Sequence, residues 1–429
     1  MEYKLSEYNI FCDASDQKYV WNTFSGALLK LDRKGHKYLN TFSGIDDGSN
    51  EFSMLRTNGF IVNKNIDEFG RICFEEKQAM FTKRSNSFSV VIALGMGCNY
   101  KCTYCFQSEH DRTYHMSSDT AKDVAEYICL QLKNNPCAKK VNIRWFGGEP
   151  LLYLNAIELI SNIVIEYANT NNLIYTAGII TNGRLLTEET AKRLHILHIT
   201  KAQITIDGMP ALYCKSKGAS EEDFHQTINN ICRAAENMKL SIRLNIPGNN
   251  ARAAIAVTDY LLTEKELKGK ISIYFAFLRE YSSVDGIEKK AYIEYVKNYY
   301  WLDYVTEHFG PDVINGLYPK RKVTSCGYIR TYNACIGPEG ELYKCEHCFG
   351  NLSMIAGDIW HGWFHNSVES LYCSTIDIRI NGECKKCKYL PVCMGGCAND
   401  FVLHSLGQDC ETFKRLQLKL KLMEGGVLV

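Results

Sequence analysis

The stretch Cys98-Asn-Tyr-Lys-Cys102-Thr-Tyr-Cys105 presents three thiols in the spacing C-x3-C-x2-C. Thiolates are the soft ligands that iron–sulfur clusters take, and a cluster in an electron-transfer protein usually has four of them. Three ligands leave one iron open to a small molecule, which turns an electron carrier into a reaction centre. Zinc is the other metal that such a loop could hold. A second concentration of thiols lies near the C-terminus. Ten of the nineteen cysteines fall between Cys326 and Cys410, with the runs Cys326-x13-Gly340-x4-Cys345 and Cys384-x2-Cys387-x5-Cys393-x3-Cys397 ending at Cys410. Cys12, Cys73, Cys129, Cys137, Cys214 and Cys232 are scattered and read as small hydrophobes.

The whole chain argues for metal rather than disulfide use of these cysteines. It has 429 residues, 46% hydrophobic and 23% charged, which suits an ordered protein of two or three domains. The N-terminus leads into no apolar run, so no signal peptide is expected, and a cytoplasmic protein keeps its thiols reduced. No run of about 18 apolar residues predicts a membrane span. A formal net charge of +1 argues against a nucleic-acid footprint.

The elements that must position the first motif alternate along the chain. Strands are expected at Phe88–Leu94, Val141–Trp145, Tyr175–Thr181, Ala202–Ile206, Ser241–Ile246 and Ile271–Phe277. Amphipathic helices are expected at 118–133, 152–168, 187–197, 221–237, 253–262 and 289–309, the third opening on a capping signal at Thr187. Six consecutive β–α units predict an α/β fold with a parallel sheet, whose chemistry belongs at the C-terminal strand ends. The motifs fall there. The first strand leads through Gly95 and Gly97 to the cysteines, and the second ends in Phe146-Gly147-Gly148-Glu149-Pro150. Thr181-Asn182-Gly183 and Thr205-Ile206-Asp207-Gly208 close the third and fourth, and the fifth carries Arg243-Leu244-Asn245. Residues 1–87 read as a small α+β module, with strands at Tyr19–Asn22, Ala27–Leu31 and Gly59–Val62 and helices at 33–42 and 50–57. Residues 310–429 are Gly- and Cys-rich with a terminal helix at 411–423, a composition that needs metal to stabilise it.

The cysteine loop with Tyr104 at its aromatic place, followed by Gly147-Gly148-Glu149-Pro150, resembles the radical SAM superfamily, and the C-terminal cysteines resemble its SPASM domain. The resemblance implies a partial (β/α)6 barrel over 88–309, a winged-helix-like N-terminal module over 1–87 and an iron–sulfur domain over 310–429. It implies a [4Fe–4S] cluster on Cys98, Cys102 and Cys105 whose open iron takes the amine and carboxylate of S-adenosylmethionine (SAM), which one-electron reduction cleaves to a 5′-deoxyadenosyl radical. Glu149 of the Gly147-Gly148-Glu149 motif would hold the SAM amine, and Tyr104 the adenine region. Asn182, Thr205, Asp207, Arg243 and Asn245 would surround ribose and carboxylate. Two auxiliary [4Fe–4S] clusters are implied, one on Cys326, Cys345 and Cys397, the other on Cys384, Cys387, Cys393 and Cys410. Cys335 is favoured over Cys348 as a fourth ligand of the first.

Such enzymes mostly modify peptides. The expectation is therefore a maturase that abstracts hydrogen from a ribosomally made precursor, with a leader held by the N-terminal module, and installs a crosslink, a thioether first of all. A flavodoxin- or ferredoxin-type reductant would supply electrons. An anaerobic sulfatase-maturating enzyme is the alternative, disfavoured by the length of chain before Cys98, and a non-catalytic iron–sulfur electron carrier is a third reading. No residue is singled out as the catalytic acid or base.

Overall fold

The computed structural model describes residues 1–14, 16–82, 85–107, 113–245, 251–276, 300–374, 382–399, 402 and 410–425. The expected helical residues 289–299, and the strand ends at Ile246 and Phe277, lie outside them. Two compact units are formed, one of Met1–Phe81, Gly316–Arg330 and Leu371–Val429, the other of Thr82–Asn315 and Thr331–Ser370.

In the first unit, β1 (Tyr3–Leu5) pairs antiparallel with β5 (Ile61–Asn63), and β2 (Asn9–Ala14), β3 (Gln17–Asn22) and β4 (Leu28–Leu31) form a three-stranded antiparallel sheet. Helix α1 (Arg33–Asn40) begins where the Asp32 side chain accepts the Gly35 N–H, and α2 (Asn50–Thr57) where Ser49 accepts that of Phe52. Helix α3 follows at Glu68–Phe81. Val20, Leu31, Leu39, Phe52, Leu55, Phe60 and Ile61 make one core. The cysteine-rich segment completes this unit. Leu390 and Met394 pack with Tyr8, Ile72 and Cys73, and Val392 with Ile10 and Trp21. Arg321 pairs with Glu75 and lies 3.8 Å over the Phe24 ring. A segment too polar to build a core of its own thus borrows one.

In the second unit, β6 (Ser87–Ala93), β7 (Lys140–Phe146), β8 (Ile174–Thr181), β9 (Ile199–Ile206), β10 (Lys239–Asn245) and β11 (Ile271–Ala276) lie parallel in sequential order. This is the six-stranded arrangement of a partial radical SAM barrel, as the sequence leads one to expect. Four short strands were not foreseen. β12 (Ala334–Ile336) pairs parallel with β6, Cys335 opposite Val91, and β13 (Glu341–Tyr343), β14 (Gly357–Asp358) and β15 (Gly362–Trp363) continue antiparallel, giving ten strands.

Helices α4 (Ser118–Lys133), α5 (Leu154–Thr170), α6 (Glu188–Ile196), α8 (Glu221–Ala234) and α9 (Ala251–Asp259) follow the expected spans, and an unforeseen α7 (Pro210–Lys217) precedes α8. The α6 cap is the expected one, Thr187 accepting from Thr190 N–H at 3.2 Å. Pro150–Thr170 is long and apolar enough, by length and composition alone, to cross a membrane. Its Ile157, Ile160 and Val164 are fully buried, as in the core helix of a folded domain.

Alternation sorts the strand side chains. Val141, Ile143 and Trp145 of β7 are buried at 0–3% exposure, while Asn142, Arg144 and Phe146 take the other face. That face is polar. Asn142 donates to Ser89 Oγ at 3.1 Å and accepts from Thr176 Oγ1 at 2.6 Å, across three strands.

Asn22 is the polar hub of the first unit. Its amide donates to Ser6 Oγ (2.9 Å), Asn9 Oδ1 (2.9 Å) and Gly59 O (3.0 Å) and accepts from the Phe24 (3.0 Å) and Ser25 (2.7 Å) N–H groups. Asn22→Ala orphans several buried partners and should destabilise this unit by about 3 kcal/mol. Hydrogen exchange of the β2–β4 amides reads it, and unchanged protection would count against the hub.

Candidate functional site

The first-strand loop and the turn after β7 are joined through their backbones. Gly148 N–H donates to Gly95 O at 2.9 Å and Glu149 N–H to Gly97 O at 2.8 Å. The approach leaves no room for side chains. A Cβ on Gly148 would sit 2.3 Å from Gly97 O and 2.6 Å from Met96 O, and one on Gly147, where φ is +124°, 2.5 Å from Gly95 O. Glycine is required here by close packing and, at Gly147, by conformation as well.

Glu149 is fully buried, and its carboxylate accepts from Leu151 N–H (3.0 Å), Thr181 Oγ1 (2.8 Å) and Asn182 N–H (2.8 Å). Burial raises its pKa, and the Asn182 and Leu151 N–H groups, the Thr181 hydroxyl and Lys217 oppose that rise. As placed, the carboxylate clamps the ends of β7 and β8 to each other and meets no solvent. Asn182, fixed by that clamp, extends its amide to Asn99 Oδ1 at 2.7 Å and to the Cys98 sulfur at 3.8 Å. Asn99 carried no signal of its own in the sequence, and Thr181 figured there only as the first residue of the Thr181-Asn182-Gly183 strand end.

The other side of the cysteine loop meets a buried charged group. Tyr104 donates its hydroxyl to both Asp207 oxygens at 2.8 Å, and the Lys217 ammonium stands 3.4 Å from Asp207 Oδ2. Tyr104 is thus tied to the end of β9. Burial pushes the Cys102 thiol up to about 11, with Lys217 pulling it back. Asn245 is within hydrogen-bonding range of Tyr104, and accepts from Arg243 Nε at 2.8 Å. Thr205 lies on the barrel-facing side of β9 between buried Ile204 and Ile206.

Arg144 and Arg243 both act on Glu346, whose carboxyl is raised by burial and lowered again by the two guanidinium groups; Arg144 Nη1 is 3.6 Å from Glu346. Glu346 belongs to the turn Cys345–Cys348. Next to it, His347 packs on Phe106, with ring centroids 4.6 Å apart, so this turn touches the residue after Cys105.

The remaining cysteines fall into sets. Cys335 and Cys348 are the thiol neighbours of Cys345 in the second unit. Cys384, Cys387, Cys393 and Cys410 are mutual neighbours in the first. Cys326 and Cys397 also belong to the first unit. Among the described residues no three His, Cys, Asp or Glu side chains close on a single ion, and no disulfide joins any cysteine. The donor chemistry fits iron–sulfur clusters. The thiols are soft, grouped and unbridged.

A parallel six-stranded partial barrel with a three-thiol loop on its first strand and a Gly-Gly-Glu turn on its second defines the radical SAM class. Residues 92–261 match the sequence model described as the Radical SAM superfamily, so that stretch of the chain is a radical SAM domain. The chain is similar to the radical SAM cyclopropyl synthase TigE of Paramaledivibacter caminithermalis, 26% identical over 225 residues, which are 45% of this chain and 46% of TigE. It therefore spans about half the length of that relative. It is also similar to the cysteine-type anaerobic sulfatase-maturating enzyme of Clostridium perfringens, 25% identical over 339 residues, 70% of this chain and 86% of that enzyme. Among solved structures, anSMEcpe with bound AdoMet and a peptide superposes with a TM-score of 0.62 at 20% identity, covering 80% of this chain and 100% of that one. Streptococcus suis SuiB bound to its precursor peptide SuiA gives 0.52 at 16% identity, covering 92% and 96%. These structures share the fold.

Gly148→Ala should displace the cysteine loop and weaken SAM binding by roughly tenfold or more, the cost of overpacking against backbone. Equilibrium dialysis with SAM, alongside iron content, measures it. Wild-type affinity and full iron would refute the close-packing argument.

Proposed function

We propose that this chain is a peptide maturase that abstracts hydrogen from a ribosomally made precursor and installs a crosslink, a thioether first of all. Cys98, Cys102 and Cys105 would hold a [4Fe–4S] cluster. SAM bound there supplies the 5′-deoxyadenosyl radical after one-electron reduction by a flavodoxin- or ferredoxin-type donor in the cytoplasm. Gly147, Gly148, Asn182, Thr205, Asp207, Arg243 and Asn245 would line its pocket. Glu149 and its Gly-Gly turn would hold the SAM amine, with Tyr104 at the adenine region, and the Glu149 carboxylate also fixes Asn182 and the strand ends. Two auxiliary clusters would use Cys384, Cys387, Cys393 and Cys410, and Cys326, Cys345 and Cys397 with Cys335.

The observation that carries this reading is the junction of the Cys345–Cys348 turn with Phe106. A second group of thiols then lies beside the Cys98–Cys105 loop, with Arg144 and Arg243 of the barrel face next to its Glu346. A substrate on that face would meet both, so a carbon-centred radical and a bound sulfur, or an electron acceptor, could act on one residue. SuiB, a structural neighbour, binds a precursor peptide, which supports a peptide substrate here. The antiparallel β2–β3–β4 sheet of the first unit supports leader binding by strand addition.

A sulfatase-maturating activity is the second reading, favoured by the alignment over 86% of the Clostridium perfringens enzyme. Anaerobically reconstituted protein, reduced with SAM and cysteine-containing peptides, separates the two. Deoxyadenosine with a peptide that has lost two hydrogens and carries a fragmentation gap means a crosslink. An aldehyde trapped by a hydrazide, without a bridge, means formylglycine. Deoxyadenosine with no change in any peptide would sink both.

Replacing Cys98, Cys102 and Cys105 with Ala should abolish deoxyadenosine formation and remove the iron of one cluster. Cys387→Ala should remove the iron of a different one while SAM still perturbs the spectrum of the first. Retained SAM cleavage in the triple variant would overturn the assignment.

A further inference from the structure

Lys217 lies at the C-terminal end of α7, a position where a lysine ordinarily reaches solvent, yet it is only 2% exposed. A buried ammonium is costly unless it is paired. Here Asp207 supplies the counter-charge at 3.4 Å, and the faces of Tyr213 and Tyr100 lie 5.3 Å and 5.9 Å from the ammonium. Burial lowers the pKa of Lys217, and Asp207, Tyr104 and Cys102 together raise it more, so it stays charged.

The same residue is tied to the cysteine loop by its backbone. Lys101 N–H donates to Lys217 O at 3.0 Å, and Thr103 N–H to Ser216 O at 2.9 Å. Gly218 follows in the left-handed conformation, and a Cβ there would lie 3.3 Å from Lys101 O. The two N–H groups flanking Cys102 are therefore held by α7, and the buried Lys217 ammonium reaches the same loop through Asp207, which holds the Tyr104 hydroxyl.

We propose that Lys217 is a positioning residue for the cysteine loop and that the Lys217–Asp207 pair sets the reduction potential of the cluster held by Cys98, Cys102 and Cys105. The inference rests on that loop holding a cluster. Reduction adds one electron, taken from an external donor, to a site already negative from its thiolates. A cation held nearby stabilises the added charge and an anion opposes it. Loss of the ammonium must then make reduction harder, and loss of the carboxylate must make it easier. A pair that merely held the fold together would have no reason to move the potential in opposite directions.

The test uses the full chain, reconstituted with iron and sulfide and titrated with dithionite. The signal followed is the electron paramagnetic resonance component that SAM perturbs in the wild type and that the Cys98, Cys102 and Cys105 alanine variant lacks; the midpoints are titrated without SAM, because Asp207 also lines the proposed SAM pocket. Lys217→Met should shift the midpoint to more negative potential, Asp207→Asn to less negative potential, and Lys217→Arg should stay near wild type, all with wild-type iron content. Midpoints that do not move, or that move in the same direction in the Met and Asn variants, would overturn the proposal. So would iron loss in a folded Lys217→Met protein with an unshifted Asp207→Asn. If Lys217→Met does not fold, Asp207→Asn against Lys217→Arg decides alone, by the presence or absence of the positive shift. Wild-type protein that takes up no cluster, or whose signal ignores SAM, would sink the underlying reading and this inference with it.

Discussion

The backbone contact between Gly95–Gly97 and Gly147–Glu149 governs how the site is built. Two N–H···O bonds, Gly148 to Gly95 and Glu149 to Gly97, bring the ends of β6 and β7 closer than any side chain would permit. A parallel strand pair ordinarily diverges into separate loops at its C-terminal end. Here the loops are held as one surface, and the cysteines are carried on it. Everything else at the site works at the edges of that surface, from β8 through Asn182 on one flank to α7 through Lys217 on the other.

Holding loops this way brings charge into the interior, and each buried charge is compensated locally. Glu149 receives three donors from β8 and its own turn. Asp207 receives Tyr104 and faces Lys217. Beside Cys345 the pattern recurs, with buried Lys344 placed 3.5 Å from Glu369 and 3.6 Å over the Trp363 ring. Removing one partner from such a pair costs far more than the pair itself contributes, because the other charge is stranded. These residues therefore fix geometry more than they add stability, which suits a site whose loops must not drift.

Much of this was legible in the sequence. The six long strands announce themselves by apolar runs whose alternate members are buried, and helices such as Ser118–Lys133 by their periodicity and caps. The cysteine and Gly-Gly-Glu motifs are short-range, and so they survive reading along the chain. What escaped is what depends on partners far away in sequence. β12 to β15 are two or three residues each, too short for alternation, and exist because β6 offers an edge. Helix α7 has no side-chain cap and buries only Tyr213 and Lys217, so no apolar stripe marks it in the sequence. Glu149 looks like a free carboxylate on a loop until Thr181 and Asn182 arrive from another strand. Tyr104 reads as the aromatic of the cysteine motif, and its hydroxyl finds Asp207 a hundred residues on.

The extension of the sheet past β6 carries a consequence for chemistry. A barrel of six strands is open, and its first strand would present an unpaired edge beside the very loop that holds the cysteines. β12 occupies that edge in parallel register, with Cys335 fully buried opposite Val91. The strands beyond it deliver Cys345 and Cys348 to the same region, and Phe106 meets His347 there. Closing the edge and delivering the second thiol group are thus one structural act. Lengthening the turn between β12 and β13 would be tolerated by the pairing, but it would carry those thiols away from the Cys98–Cys105 loop. The spacing of Cys335, Gly340 and Cys345 is accordingly a constraint on where sulfur sits relative to the Cys98–Cys105 loop. Gly340 meets it directly, since its φ of +83° makes the turn and a Cβ there would strike the Trp360 ring at 2.8 Å.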